Sequence, residues 1–345
     1  MAGIVRFGAY VPLHRLGKET DGWTTAGERA TANFDEDSIT MAVAAALDCL
    51  EGVDRKRVDG VFFASTSSPY HEKDAAPLIA TACDLREDIR TADFTNSLRA
   101  GTTALQAALD AVKAGSARSI LVTTAEMRNA QPRSDAEANL GDGAAAFLVG
   151  NDGVVAEVEI AFSMAHEIQD MWRAEGGAYM QTWEDRFVMD EGYLRSMLAA
   201  GNEALKRAGI GASDLAKAAI YAPDSRRLAD ISRRLGLDDK TQVPGSVLQE
   251  IGNTGAALAP MMLVAALEDA APDQRLMVLN YGQGADALVL RTTSALSKGS
   301  PNRGVKGFLA SKKMMPSYQQ FLRWRGLLDI APAARRPPLP VPSAS

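Results

Sequence analysis

The chain has 345 residues, 46% of them hydrophobic and 23% charged, with a formal net charge of −6. Those figures exclude a disordered, collagen-like or disulfide-scaffold protein, and the length suits one large domain or two ordinary ones around a sizeable core. The acidity argues against a nucleic-acid partner. Cys49 and Cys83 lie in apolar, helix-like runs, which fits a reducing compartment. No apolar run approaches the roughly 20 residues that span a bilayer, so no membrane association is expected. The start, MAGIVR, has no secretory core, and the expected location is the cytoplasm. His14, His71 and His166 lack ligand-like spacing, and no metal site is expected.

Along the chain, strand-like and helix-like segments alternate, the pattern of an α/β fold. Residues 58–64 form a short apolar run, 102–114 carry apolar side chains at spacings of three and four, and 119–124 read as a buried strand. The second half repeats this grammar: 218–222 strand-like, 255–267 helical, 275–281 strand-like. Two strings echo each other in order. GDGAAAFLV from Gly141 resembles GQGADALVL from Gly282, and GTTAL from Gly101 resembles GNTGAAL from Gly252. Ordered matches in similar contexts indicate an internal duplication, with halves at 1–165 and 166–296 and a tail at 297–345.

The tail differs in charge. From Lys298 onward nine basic residues face one acid, Asp329, so the tail carries +8 and the rest −14. Such an arm either docks on its own acidic body or meets an anionic partner. Residues 318–328, with Phe321, Trp324 and Leu328, read as a short amphipathic segment that docks a partner or covers its own domain. The Pro-rich stretch from Pro332 predicts no packed element.

A helix N-terminus directly after a strand suits acyl chemistry, because its free N–H groups stabilise an anion. Here that address is 93–102, DFTNSLRAGT, and Leu98 stands at the expected exposed turn with no nucleophile.

Several motifs resemble the thiolase superfamily, and more closely its hydroxymethylglutaryl-CoA synthase branch of the bacterial and archaeal type. They are GIVRFGAYVP from Gly3, DEDSITMAV from Asp35, SSPY from Ser67, the 95–102 turn, FS from Phe162, DMWR from Asp170, IGNT from Ile251 and YGQG from Tyr281. The resemblance runs from the first residues to about Arg291. It implies a thiolase-like five-layered αβαβα fold from two duplicated halves, a homo- or hetero-dimer, and acyl-CoA or CoA as a ligand with no covalently bound cofactor.

The family's catalytic trio does not carry over. By resemblance its acylated cysteine corresponds to Leu98, its histidine to Tyr221 in YAPD, and its acid/base glutamate to Thr66; the asparagine of the Gly-Asn-Thr motif is kept as Asn253. Leucine cannot form a thioester, and threonine is a poor general base near neutrality. Ser97 is a neighbour whose side chain is expected to point elsewhere. Tyr221 could act as acid/base if its phenol pKa were lowered, with Asn253 donating to an enolate oxygen; alternatively Tyr221 fills the old histidine space and Asn253 caps a helix. Arg226 and Arg227 are candidate contacts for the phosphates of CoA, or solvated arginines. Arg99 is expected to reach Asp93 or Asp224, and Asp142 and Asp286 to hold turn geometry.

The leading expectation is an acyl-CoA-binding subunit, silent for covalent acyl transfer, in a complex that makes or breaks C–C bonds. Its implied partners are an active thiolase-type subunit and a zinc-ribbon/OB-fold protein, because residues 317–328 look like the segment that opens such proteins. The alternatives are a cysteine-less retro-aldol or Claisen-type lyase using Tyr221 and Asn253, and a hydroxymethylglutaryl-CoA synthase-type acyltransferase.

Overall fold

The computed structural model describes residues 2–299 and 301–328. The first half contributes strands β1 (Gly3–Tyr10), β2 (His14–Leu16), β3 (Arg29–Thr31), β4 (Gly60–Ala64), β5 (Arg90–Phe94), β6 (Ser119–Glu126) and β7 (Gly143–Gly150). Its helices are α1 (Ser38–Cys49), α2 (Ala76–Ala82), α3 (Ala100–Lys113) and α4 (Asp135–Asn139). The second half has β8 (Ala156–Ala165), β9 (Met171–Trp172), β10 (Gln181–Thr182), β11 (Leu215–Ile220), β12 (Arg275–Tyr281) and β13 (Gly284–Thr292). Between them run α5 (Asp185–Phe187), α6 (Arg195–Ala208), α7 (Ser225–Arg234), α8 (Ser246–Glu250) and α9 (Leu258–Asp269). Then follow α10 (Gly304–Leu309), β14 (Lys313–Met314) and α11 (Tyr318–Trp324). No helix among the described residues is long and apolar enough to cross a membrane.

Nine strands form one sheet in the order β11-β12-β13-β8-β1-β7-β6-β4-β5. The duplication is visible in its grammar. β4 lies parallel to β6, β6 antiparallel to β7 and β7 antiparallel to β1; likewise β11 is parallel to β12, β12 antiparallel to β13 and β13 antiparallel to β8. The halves join where Gly3 and Ile4 of β1 face Glu157 and Ala156 of β8. β8 therefore takes the place in the second set that β1 takes in the first.

Side-chain alternation builds the layers. In β4, Val61 and Phe63 face one core with α1 and α2, while Phe62 and Ala64 face another that holds α3, α9 and the inner faces of both halves. α6 covers β8 and β13 on the far side. The result is helix, sheet, helix pair, sheet, helix. α9 (LAPMMLVAALED) is buried from Leu258 to Leu267, as a helix between the two halves of the sheet must be, and each fully buried Leu, Val, Met or Phe contributes about 1.5–3 kcal/mol. The two halves meet closely at Gly101, where a Cβ would stand 2.6 Å from the Ala256 carbonyl oxygen.

Expected elements are recovered with shifted ends. The strand read at 218–222 is β11, which stops at Ile220 just before the Ala222-Pro223 turn. The helix read at 255–267 begins as a 3₁₀ turn over Gly255–Ala257, with Gly255 at φ +54°, before α9 proper.

The described part of the tail packs on its own body. β14 pairs with β2, and α11 closes a small core of Leu16, Trp23, Met315, Tyr318 and Phe321. Acidic body residues receive the basic ones: Arg325 bonds Asp142 at 2.5 Å with both buried, Lys312 bonds Glu28 at 2.7 Å, and Lys306 bonds Asp269. Of the two expectations for 318–328, the helix covering its own domain describes these contacts. The Pro-rich stretch from Pro332 lies outside the described residues.

Candidate functional site

The turn between β5 and α3 is held from the other half. Asn96 takes φ +63°, Asn280 Nδ2 donates to the Leu98 carbonyl at 3.1 Å, and Gly282 lies so close that a Cβ there would stand 2.9 Å from the Arg99 nitrogen. Leu98 is 7% exposed, so the residue expected at an exposed turn is buried, covered by the 280–284 loop that the duplication brings across. Arg99 reaches neither Asp93 nor Asp224. It pairs with Asp286 at 3.0 Å and donates to the Gly282 carbonyl at 2.6 Å. Asp286 also accepts from Thr102 Oγ1 at 2.6 Å, so it ties α3 to β13 rather than shaping a turn of its own. Asp142 likewise spans segments, accepting from Ala32 N and from Arg325. Ser97 Oγ accepts from Arg99 N at 3.2 Å and meets Gln283 Oε1 at 3.4 Å.

Beside Thr66 stands a carboxylate that the sequence reading passed over. Glu126, at the end of β6, is completely buried and accepts from Thr66 N at 2.8 Å, Thr66 Oγ1 at 2.9 Å and Ser67 Oγ at 2.6 Å. Its only sequence signal was an acid closing an otherwise uncharged strand.

Tyr221 and Asn253 do come together. Asn253 Nδ2 donates to the Tyr221 hydroxyl at 3.3 Å, while its Oδ1 accepts from Gly255 N at 2.9 Å and from Arg128 Nη2 at 3.1 Å. Asn253 thus caps the following turn with its oxygen and faces Tyr221 with its nitrogen. Burial pushes the Tyr221 phenol above its ordinary value, although Arg128 and the bond from Asn253 pull the other way. A lowered phenol pKa, the condition for Tyr221 as an acid/base, is not met. Tyr193 donates to the Tyr221 carbonyl at 2.8 Å, and Tyr281 stacks on Tyr221 at 6.3 Å between centroids. The Tyr281 hydroxyl is buried without a hydrogen-bond partner among the described residues, and burial together with nearby Asp170 raises its pKa. Asp170 is 2% exposed and accepts from Met171 N at 2.6 Å and Gln283 Nε2 at 3.0 Å.

Two cavities share Leu98, Met171 and Met180 as walls. The first, about 360 Å³, includes Thr66, Ser97, Arg128, Arg173 and Gln283 in its lining. The second, about 640 Å³, includes Tyr193, Tyr221, Asn253, Tyr281, Asp170 and Arg227. Leu98 and Tyr221 therefore leave the space around them open. Arg227 lines the second cavity but is neutralised by Asp185 at 2.7 Å and Asp224 at 3.5 Å; Arg226 is exposed on the first turn of α7 and lines neither cavity. Cys49 and Cys83 are buried away from both, with their thiol pKa values raised by burial, Cys83 to about 11. Among the described residues no three His, Cys, Asp or Glu side chains converge as a metal site.

The chain is similar over nearly its whole length to archaeal hydroxymethylglutaryl-CoA synthases. It is 28% identical to that of Pyrococcus horikoshii over 341 residues (95% of this chain, 94% of the relative) and 27% identical to that of Methanosphaera stadtmanae over 346 residues (96% and 100%). Among solved structures it resembles PksG, a hydroxymethylglutaryl-CoA synthase from Bacillus subtilis (TM-score 0.82, 21% identity, 94% of this chain and 89% of that one). It also resembles 3-oxoacyl-[acyl-carrier-protein] synthase III from Aquifex aeolicus (TM-score 0.75, 20% identity, 84% and 100%). No family model matches. The fold is therefore the thiolase-like αβαβα fold, with hydroxymethylglutaryl-CoA synthases as full-length relatives.

Proposed function

We propose that this chain binds an acyl-CoA across the two cavities and acts on a carbon–carbon bond beside the thioester carbonyl, the part of hydroxymethylglutaryl-CoA synthase-type chemistry that needs no acyl-enzyme. The relatives favour acyltransferase chemistry of that type; Leu98, a hydrocarbon at the acylation position implied by resemblance, removes the covalent step from it. The observation that carries the reading is the open space on both sides of Leu98, with Asn253, Tyr281 and Asp170 in the wall of the larger cavity.

In the cleaving direction, the Asp170 carboxylate takes the proton of a β-hydroxyl. The Cα–Cβ bond breaks, and its electron pair moves into the thioester enolate, whose oxygen accepts from Asn253 Nδ2. The β-carbon leaves as a carbonyl, and Asp170 returns the proton to Cα. Condensation is the reverse. Tyr221 holds Asn253 and transfers no proton.

The second reading is the silent subunit, with chemistry in a thiolase-type partner and a zinc-ribbon/OB-fold protein alongside. What favours it is that Asn253 is spent within the protein, its Nδ2 on the Tyr221 hydroxyl and its Oδ1 on Gly255 N and Arg128, as in a structural cluster. Binding of CoA esters by calorimetry, then cleavage of a 3-hydroxyacyl-CoA by Asp170→Asn and Asn253→Ala proteins, separates the two. The lyase reading expects turnover to fall at least a hundredfold with binding retained in Asp170→Asn. Full turnover in both variants would place the chemistry in another chain.

A further inference from the structure

Phe34 is the most exposed large apolar side chain among the described residues, with 68% of its surface open. Its position is built rather than loose. Glu36 N donates to the Asn33 carbonyl at 3.1 Å and Asn33 N to Glu36 Oε2 at 2.7 Å, closing the turn that carries Phe34. The Tyr10 hydroxyl holds the same Glu36 carboxylate, and Asp37 caps α1 immediately after. Two further rings complete a surface cluster. Trp324 lies 6.2 Å from Phe34 between centroids, and His14 meets Trp324 edge-on at 4.9 Å. Tyr318 and Phe321 of α11 enter the small core, whereas Trp324 is only partly covered. Leu13, next to His14 in the chain, is 46% exposed. Contiguous apolar surface of this kind marks a place where something docks.

Charge gives the cluster two ends. Asp35, Glu36 and Asp37 follow Phe34 in the chain, and none of them makes an ion pair among the described residues. Lys313 and Arg323, both exposed, belong instead to the strand beside His14 and to α11. The described residues end at Leu328, four positions after Trp324. From there the sequence runs on to Arg335-Arg336-Pro337-Pro338-Leu339-Pro340-Val341-Pro342. The seven residues from Leu328 to Arg335 reach at most about 25 Å, which brings the two arginines within range of the acids beside Phe34.

We propose that the aromatic cluster of Phe34, Trp324 and His14 is the docking site of this chain's own segment 335–342. Proline-rich segments lose little entropy on binding and are recognised by grooves lined with aromatic rings. The guanidinium groups of Arg335 and Arg336 go to the carboxylates beside Phe34, and the prolines with Leu339 cover the rings. Tethering favours the chain's own segment over a separate one, because a short linker holds it at a local concentration in the millimolar range. This inference goes beyond the acyl-CoA reading and does not depend on it.

The test uses the full-length chain and a synthetic peptide of residues 331–345. A variant carrying Arg335→Ser, Arg336→Ser and Leu339→Ser together cannot fill its own site. Calorimetric titration of that variant is expected to show one peptide bound per chain. The wild-type chain is expected to bind the peptide roughly tenfold more weakly, since a tail tethered at about 1 mM competes with a peptide whose Kd is about 0.1 mM. Phe34→Ala, added to the variant at an exposed side chain, is expected to abolish binding and leave the melting temperature nearly unchanged. Asp35→Asn is expected to weaken binding about threefold and to reduce its salt dependence. No binding to the tail variant overturns the proposal, as does binding that survives Phe34→Ala. Equal affinity for the wild-type chain overturns it too, because the site is then vacant in the intact protein. A larger assembly for the wild-type chain than for the tail variant in sedimentation also overturns it, and assigns the segment to a second copy.

Discussion

Tyr221 shows how little a residue type says until its surroundings are known. A tyrosine where the resemblance implies a histidine invites an acid/base role, yet burial raises the cost of its phenolate, with only partial relief from Arg128 and the bond from Asn253. Glu268 obeys the same physics where the consequence is measurable. Burial pushes its carboxyl from 4.5 to about 7, against the partial relief of Lys306. With the folded pKa above the unfolded one, the group costs nothing below about pH 4.5, where both states are protonated. The penalty grows as pH rises towards 7, because the unfolded chain ionises freely and the folded one resists. Glu268→Gln is therefore expected to raise the melting temperature at pH 8 and leave it nearly unchanged at pH 4.5, as a pair of thermal scans would show.

α11 acts on the site at a distance. Ser317 caps it, Phe321 enters the small core, and the Arg325 that follows meets Asp142. Next to Asp142, Gly141 N donates to the Asn253 carbonyl at 3.1 Å, and Asn253 N donates to the Asn139 carbonyl at 2.7 Å. The tail thus pins the loop that holds Asn253. Arg325→Met leaves a buried carboxylate without its cation and is expected to cost about 3–5 kcal/mol in chemical denaturation. Phe321→Ala is expected to cost a similar 3–5 kcal/mol through the cavity it opens. Both are expected to weaken acyl-CoA binding at temperatures where the protein remains folded, although neither residue borders the two cavities.

Across the whole molecule, the halves share one continuous sheet and one core around α3 and α9. Gly101 sits where they touch, and the carbonyl it faces is backbone that cannot swing aside. Gly101→Ala is expected to destabilise by about 1–3 kcal/mol through overpacking. Gly27→Ala, with nothing within 4 Å of its Cβ, serves as a control expected within about 0.5 kcal/mol. Calorimetry is expected to show a single transition for both, since the core around α3 and α9 is built from both halves at once.

The echo of Gly141 and Gly282, the apolar periodicities and the charge contrast between tail and body were legible in the sequence because they are local patterns. They gave the α/β class and the duplication, and the turn at 93–102 showed a leucine, not a nucleophile, at residue 98. Tertiary structure alone decided the rest. Glu126 joins Thr66 across two strands, Arg99 finds Asp286 from the other half, and Arg128 ends up buried without a counter-charge. Each is a meeting of residues from about 60 to nearly 190 positions apart, or the burial that such meetings produce. Spacing along a chain does not encode them, because which groups share a cavity depends on how the two halves of the sheet stack over α3 and α9.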